Sequence, residues 1–389
     1  MGCIVFFGGY FDLPKKADPL LMGERRPERA LVALSGGVDS SVAAALLQEQ
    51  GTDLAAVTLK TFCYAGLSAG PKNCCGLEGV EAARAAAGRL GIPHFILDVS
   101  EMFKREVIED FITEYAAGRT PNPCVQCNAT VKIPYLLEKA RSMGYPALAT
   151  GHYARILPAG NGLGLFRGMD SAKDQSYFLW KIPRDVLAGL YFPIGEMDKP
   201  NVRALAAKFG LANAKKPESQ EICFVAESDY VEFLRRILPP GHPGFQPGKI
   251  VDVDGRSLGR HDGYLRFTVG QRKGLGGGHG RRLFVIEIKP DTREVVATEE
   301  REMMRKRLLI DRINVLADSA DLKLPLKVQI RHRAHPIPGR IVSDPAFPLS
   351  WEIELESAAR AISPGQSAVI YNEDRVVAGG RIIAAPRSY

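Results

Sequence analysis

Through the first half of the chain, short apolar runs alternate with longer stretches in which apolar residues recur at helical spacing. Ala30–Leu34 (ALVAL) predicts a short buried strand, and after SGGVDS the apolar run Val42–Leu47 predicts a helix closed by Gly51. The pattern repeats with an apolar segment at Leu54–Leu59, an Ala-rich helix near Glu78–Leu90, and a strand at His94–Val99 (HFILDV). A helical stretch runs from Glu101 to about Tyr115, and another near Thr130–Met143 leads into Ala147–Thr150. Strands alternating with helices predict an α/β fold on a doubly wound parallel sheet, whose ligands sit at the carboxyl ends of the strands. SGGVDS, TFCY and TGHY all fall at such ends.

From about Lys199 to Leu238 the pattern is helical again. Beyond the Pro/Gly-rich LPPGHPGFQPGK it changes to short β-like runs: KIVDV, YLRFTVG, LFVIEI and EVVAT. From about Arg307 a second β-rich unit contains LKVQIRHR, SWEIELES and SAVIYNEDRVVAGGRII, spaced by turn residues as in a small barrel. The expected organisation is an N-terminal extension (1–29), a nucleotide-binding α/β domain (30–238), a small central β module (239–306) and a C-terminal β-barrel (307–389).

Hydrophobic residues make up 46% of the 389, enough for ordinary cores. No stretch approaches the roughly 18–20 continuous apolar residues of a membrane span. The opening MGCIVFFGGYF lacks a preceding basic segment and a following small-residue cleavage site, so it makes a poor secretory signal. These features predict a cytoplasmic protein with no membrane partner. The charge balance is 51 Lys+Arg against 44 Asp+Glu, net +7, and between Arg260 and Arg312 it is 13 against 8. Such an excess fits a polyanionic partner such as RNA. Within it Thr268–Gly278 (TVGQRKGLGGG) predicts a turn-rich basic loop, where Arg272 and Lys273 suit phosphate contacts.

Candidate chemistry begins at Ser35–Ser40. Gly36 and Gly37 permit close backbone approach, N–H groups at the helix start can face an anion, and Ser35, Ser40 and Ser41 add hydroxyls. Asp39 would repel a phosphate unless Mg²⁺ stood between them, so a metal ion is implied. No GK[ST] follows, so this is not a Walker loop; it resembles the pyrophosphatase-type loop of enzymes that adenylate a substrate.

Seven cysteines form no regular framework, and in a cytosolic protein they suggest catalysis or metal binding. Cys124 and Cys127 form a C-x-x-C in Gly118–Asn128 (GRTPNPCVQCN), where two prolines and an Asn predict a stiff loop rather than a helix. The spacing alone fits zinc, iron–sulfur or a redox dithiol. Cys223 lies in KKPESQEICFVAESDY, where Lys215 and Lys216 could favour a thiolate. Cys63, Cys74 and Cys75, in TFCYAGLSAGPKNCC, read as loop cysteines without a cofactor.

Seven segments occur in one order: ALSGGVDSSVAA, GRTPNPCVQCN, ATGHYAR, DSAKDQSYFLW, SQEICFV, FTVGQRKGLG and SPGQSAVIY. Together they resemble the tRNA-specific 2-thiouridylase family, from about Ala30 to Ile383. The resemblance implies a tRNA-uridine 2-sulfurtransferase that uses ATP to thiolate the wobble uridine, with sulfur arriving from a persulfide or sulfide donor such as a sulfur-carrier protein. It implies ATP contacts at Ala33, Leu34, Ser35, Gly36, Gly37, Val38, Asp39 and Ser40, with Leu59 and Gly151 bordering the nucleotide. Cys127 matches the nucleophilic cysteine and Cys223 the persulfide carrier, and a disulfide between them would suit an oxidised resting form. Asn122, Pro123 and Cys124 match the segment around the target base, and Lys173, Asp174 and Gln175 a tRNA-contacting turn. His152, Arg331, His332 and Gln366 match further tRNA contacts. The chain departs from the family pattern where Cys124 stands in place of an Asp that is a candidate general base. One consequence would be a three-thiolate site at Cys124, Cys127 and Cys223 holding a 4Fe–4S cluster with one iron open to sulfide; the other reading keeps persulfide–dithiol chemistry. Two rival functions are another adenylating synthetase with a small-molecule substrate, and a noncatalytic tRNA-binding protein.

Overall fold

The computed structural model describes residues 26–61, 77–214, 216, 222–225, 229–276, 282–343 and 349–386. Cys3, Cys63, Cys74, Cys75 and Lys215 lie outside the described residues. The N-terminal domain is built on a five-stranded sheet. Its elements run β1 (Arg29–Ala33), α1 (Val38–Glu49), β2 (Asp53–Lys60), α2 (Leu77–Leu90) and β3 (His94–Asp98), then the helical stretch α3 (Ser100–Phe103) and α4 (Glu109–Ala116). Next come α5 (Pro123–Cys127), α6 (Ile133–Ser142) and β4 (Ala147–Thr150). A hairpin, β5 (Ala154–Ala159) and β6 (Gly162–Arg167), leaves the sheet, and β7 (Leu190–Tyr191) returns to its edge. The order is β3-β2-β1-β4-β7, with every pairing parallel. The continuous apolar runs follow from burial on both faces. Leu31 packs into one core with Phe103, Phe111 and Leu148, while Ala30 and Val32 pack into the other with Val42 and Leu46. Each buried Leu, Val or Phe side chain among them contributes about 1.5–3 kcal/mol by leaving water.

The helices α7 (Lys199–Lys208) and α8 (Tyr230–Ile237) precede a four-stranded sheet. It contains β8 (Gly248–Val251), β9 (Ser257–His261), β10 (Leu283–Lys289) and β11 (Glu294–Glu299), in the order β10-β11-β8-β9. The run YLRFTVG, expected as β, instead forms a 3₁₀ turn at Tyr264–Arg266. Gly263 at φ +134 turns the chain against the Gly244 carbonyl, and Tyr264 and Leu265 are buried by that turn rather than by a strand pairing. Last come β12 (Met304–Val315), β13 (Leu326–Gln329), β14 (Ile337–Ile341), β15 (Ser350–Arg360), β16 (Ser367–Asn372) and β17 (Arg375–Ala384). They pair in the order β12-β15-β14-β13-β16-β17, and β12 also pairs with β17, closing a six-stranded antiparallel barrel. Strand β6 pairs with β17, so the hairpin from the α/β domain extends the barrel sheet. No helix among the described residues is long and apolar enough to cross a membrane.

Besides the β6–β17 pairing and bonds such as Asn314 Nδ2 to the Trp180 carbonyl at 2.7 Å, one strap of chain gathers contacts from all three units. Glu114, on α4, is 1% exposed and takes a two-pronged pair from Arg119, Nε at 2.7 Å and Nη2 at 2.8 Å. Arg381 of barrel strand β17 donates to the same carboxylate and also grips Asp311 at 2.9 and 3.1 Å. Tyr264 of the central module donates its hydroxyl to the Ala116 carbonyl at 2.8 Å. From the barrel, the Pro364 carbonyl accepts the Thr120 N–H at 2.8 Å, and Gln366 Nε2 donates to the Thr120 carbonyl at 2.9 Å. Gly365, at φ +91, runs so close that a Cβ would lie 2.7 Å from the Thr120 nitrogen. A buried carboxylate stripped from two guanidinium partners is costly in either direction. Glu114→Ala is expected to lower stability by about 3–5 kcal/mol, measured as the shift in the urea unfolding midpoint, and to loosen the strap to limited proteolysis.

Candidate active site

The phosphate loop links β1 to α1 at the switch point of the sheet, between β1 and its neighbours β2 and β4. Gly36 adopts φ +74, and a Cβ there would lie 2.3 Å from the Gly79 carbonyl oxygen of α2, so only glycine fits. Gly37 caps α1 in an extended conformation. Ser40 and Ser41, expected as ligand donors, turn inward instead. Both hydroxyls donate to the Gly37 carbonyl at 3.1 Å, and Ser40 Oγ also accepts the Ser35 N–H at 3.2 Å. Both side chains are thereby engaged with the Gly37 carbonyl, which also accepts the Ser41 N–H at 3.4 Å, leaving Ser35 as the exposed hydroxyl of the three. Gly151, just after β4, abuts the same turn, since a Cβ would lie 2.5 Å from the Ser40 nitrogen. Leu59 lies on β2, which pairs along the length of β1.

Three residues that bear on this loop escaped sequence reading. Lys199 Nζ contacts both oxygens of Asp39 at 2.8 Å, and the Tyr153 hydroxyl donates to Asp39 Oδ1 at 2.8 Å. Asp39 is thus paired with a lysine ammonium and a tyrosine hydroxyl. Asn213 donates to the Gly36 carbonyl at 3.2 Å and to Ser41 Oγ at 2.9 Å. Beside Asn213 a 310 Å³ cleft is lined by Ala82, Ala85, Ala86 and Lys216.

The cysteine segment is helical, not the stiff loop expected. Asn122 accepts the Val125 N–H at 3.4 Å as the cap and Pro123 occupies the first turn, where its missing N–H costs nothing. Helix α5 then continues through a π-helical stretch, Asn128–Lys132, into α6. Cys124 is exposed and Cys127 buried, at 6%. Cys223 is partly buried and packs against the same apolar core that contains Cys127. Its neighbour Phe224 anchors that segment edge-on to Phe103 (5.7 Å) and Phe111 (5.1 Å). From the other side the Phe178 carbonyl accepts from Asn128 Nδ2 at 3.1 Å, and Lys181 donates to Gln126. Burial lowers the Lys181 pKa.

Several expected surface contacts are built inward. Asp174 is 8% exposed, and its oxygens accept from Arg167 (2.7 Å), Ser176 Oγ (3.0 Å), Ser176 N (3.0 Å) and Gly168 N (3.1 Å). With four donors it shapes the turn that carries Lys173. Gln175 pairs with Tyr153 through its backbone N–H at 2.8 Å and its side-chain oxygen at 3.0 Å. His152 shares a proton with Thr150 at 2.7 Å and packs edge-on to Phe192, and burial pushes its pKa down to about 3, so it is neutral near pH 7. His332 lies over Phe178 at 4.4 Å and its pKa is also lowered by burial. Arg331 donates to the Ala361 carbonyl at 3.1 Å and Ser363 at 3.2 Å. Gln366 is engaged with the strap, as described above. Arg272 and Lys273 are exposed, on a turn braced by the Gln271 amide.

A parallel sheet of this order, with a glycine phosphate loop at its switch point and no Walker lysine, defines an α/β nucleotide-binding domain of the HUP class. Its sequence matches the model of the tRNA methyl transferase HUP domain over residues 28–227. The tRNA methyl transferase PRC-barrel domain follows at 232–299 and the aminomethyltransferase beta-barrel domain at 305–382. The tRNA-specific 2-thiouridylase MnmA of Geobacter metallireducens is 43% identical, over 94% of this chain and 99% of its own. The MnmA of Carboxydothermus hydrogenoformans is 44% identical, over 91% of this chain and 97% of its own. The chain belongs to the tRNA-specific 2-thiouridylase family.

Two outcomes follow from this geometry. Gly36→Ala should abolish nucleotide binding, read by calorimetric titration, while circular dichroism keeps the native signature. Because His152 is held neutral far below the ordinary histidine pKa, its contribution to stability is complete above about pH 6.5 and lost as pH falls toward its folded value near 3. His152→Gln should therefore flatten the acid side of the stability–pH curve in that window.

Proposed function

We propose that this protein is an ATP-dependent sulfurtransferase that 2-thiolates the wobble uridine of tRNA. The observation that carries the reading is the pairing, in one α/β domain, of a pyrophosphatase-type phosphate loop with a cysteine helix, within a family of that activity. ATP binds with its phosphates over the first turn of α1, at Ala33–Ser40, bordered by Leu59 and Gly151. A Mg²⁺ ion, when bound with the nucleotide, would supply charge neutralisation for the phosphates. Asp39 is engaged by Lys199 and Tyr153.

The chemistry needs two stages. The uridine O2 attacks the α-phosphorus, pyrophosphate leaves, and the oxygen becomes part of an AMP leaving group. A persulfide on Cys223 then attacks C2 through its terminal sulfur, AMP departs, and the base is left joined to Cys223 through a disulfide. Cys127 thiolate attacks the Cys223 sulfur, releasing the thiouridine and forming a Cys127–Cys223 disulfide that a thiol reductant reopens. The persulfide donor is a sulfur-carrier protein or a low-molecular-weight persulfide. The base must be extruded to reach these cysteines, which is cheaper in an anticodon loop than in a duplex. Asn122, Pro123 and Cys124 border it, Lys173 and the 173–175 turn meet the tRNA backbone, and Arg331 and His332 add contacts from the barrel.

A second reading comes from Cys124 itself, which with Cys127 and Cys223 would offer three thiolates to a 4Fe–4S cluster. Cys124 is exposed, Cys127 is buried and Cys223 is partly buried on the core that contains Cys127, so the two readings differ in whether the exposed thiol takes part. Cys127→Ala and Cys223→Ala should each abolish thiolation in an assay with ATP, tRNA and a persulfide donor. Iron and acid-labile sulfide in anaerobically purified protein decide between the readings. Iron-free protein that thiolates supports the thiol relay. About four irons per chain, lost together with activity in Cys124→Asp, would replace it.

A further inference from the structure

Asp39 occupies the second position of α1, where the helix dipole favours a carboxylate. The same helix end is where a polyphosphate would bind, so two anions compete for one positive pole. Lys199 resolves the conflict. Its ammonium lies 2.8 Å from both Asp39 oxygens, its side chain is 9% exposed, and it also stands 5.7 Å over the Tyr153 ring. A buried lysine is expensive unless paired, and here the carboxylate is the pair. The helix that carries it is fixed at its N-terminus. Asp198 caps α7 by accepting the Asn201 N–H at 2.8 Å, and the Lys199 N–H donates to Asp170 at 3.1 Å. One turn on, Arg203 holds the Ala214 carbonyl at 2.8 Å, steadying the turn whose Asn213 binds the Gly36 carbonyl. Helix α7 therefore acts on the phosphate loop twice, once through charge and once through backbone.

We propose that Lys199 is a positioning residue for the nucleotide, which cancels the charge of Asp39 so that a triphosphate can occupy the first turn of α1. It acts through Asp39 and does not itself hold the phosphates. This rests on the ATP reading above. Without the ammonium, the Asp39 carboxylate faces the incoming phosphates uncompensated, and that repulsion falls on nucleotide binding rather than on sulfur transfer.

The test is a mutant cycle on the full-length chain, with kcat and KM for ATP in tRNA thiolation and ATP affinity by calorimetry. Lys199→Met should raise the KM for ATP by at least about tenfold, the scale of one close unscreened charge, with a smaller change in kcat. Removing the repelling group as well should restore binding, so Asp39→Asn/Lys199→Met should match Asp39→Asn alone. Lys199→Arg should retain most of the affinity. If Lys199→Met does not fold, the comparison of Asp39→Asn with the double variant carries the same test. A double variant that binds ATP clearly more weakly than Asp39→Asn would overturn the proposal by making Lys199 a direct phosphate ligand, and an unchanged KM in Lys199→Met would overturn it outright. Wild-type protein that binds no ATP at all would sink the functional reading instead, a result separable from either.

Discussion

A carboxylate buried at the junction of three units can exist only if guanidinium groups come to it, and Glu114 draws one from each side. Arg119 arrives from the strap that follows α4, and Arg381 from the last strand of the barrel. Desolvating a carboxylate is so unfavourable that this arrangement is close to all-or-none. It fixes the 116–121 backbone against the barrel, and the neighbouring hydrogen bonds from Tyr264, Pro364 and Gln366 then have a rigid partner. The cysteine helix begins at the end of that strap. Its start is thus set by a contact between domains, while its length continues through the π-helical stretch into α6.

The same logic of internal charge recurs at the other two carboxylates near the site. Asp174 is saturated by four donors and shapes the turn bearing Lys173, while Asp39 is matched to Lys199 and Tyr153. The two are linked. Gln175, beside Asp174, is paired to Tyr153 by backbone and side chain, and Asp170, at the start of the same turn, holds the N–H of Lys199. A turn expected to meet tRNA and a loop expected to meet ATP therefore share two residues as supports. Displacing the turn strains the hydrogen bonds that hold Asp39.

What the sequence made legible was whatever depends on local pattern. Apolar runs at Ala30–Leu34 and Leu54–Leu59 appear as parallel strands because burial on both faces leaves no polar alternation to disguise them, and β-rich texture after Arg307 appears as a barrel. The cysteine segment was misread because its two prolines suggest a loop, whereas Pro123 in the first turn behind an Asn cap starts a helix. Lys199 and Asn213 were invisible because they lie about 160–180 positions from the groups they touch, and nothing local distinguishes a paired lysine from a solvated one. Candidate surface residues such as Asp174 and Gln366 turned inward for the converse reason. A motif fixes which residues occur together but not which face each presents.

Sulfur chemistry on an activated base asks for two reagents in one place, and the topology supplies a reason they can meet. The phosphate loop leaves the carboxyl end of β1, the cysteine helix lies on the connection between β3 and β4, and β4 is the direct neighbour of β1. Cys223 comes from beyond α7, a helix that already grips the phosphate loop, and Phe224 seats it on the aromatic cluster beneath the cysteine helix. The phosphate loop and the Cys223 segment are thus each seated on packed elements of the α/β domain. The barrel, bound to the strap through Glu114 and to the α/β domain through the β6–β17 pairing, is part of the same packed frame.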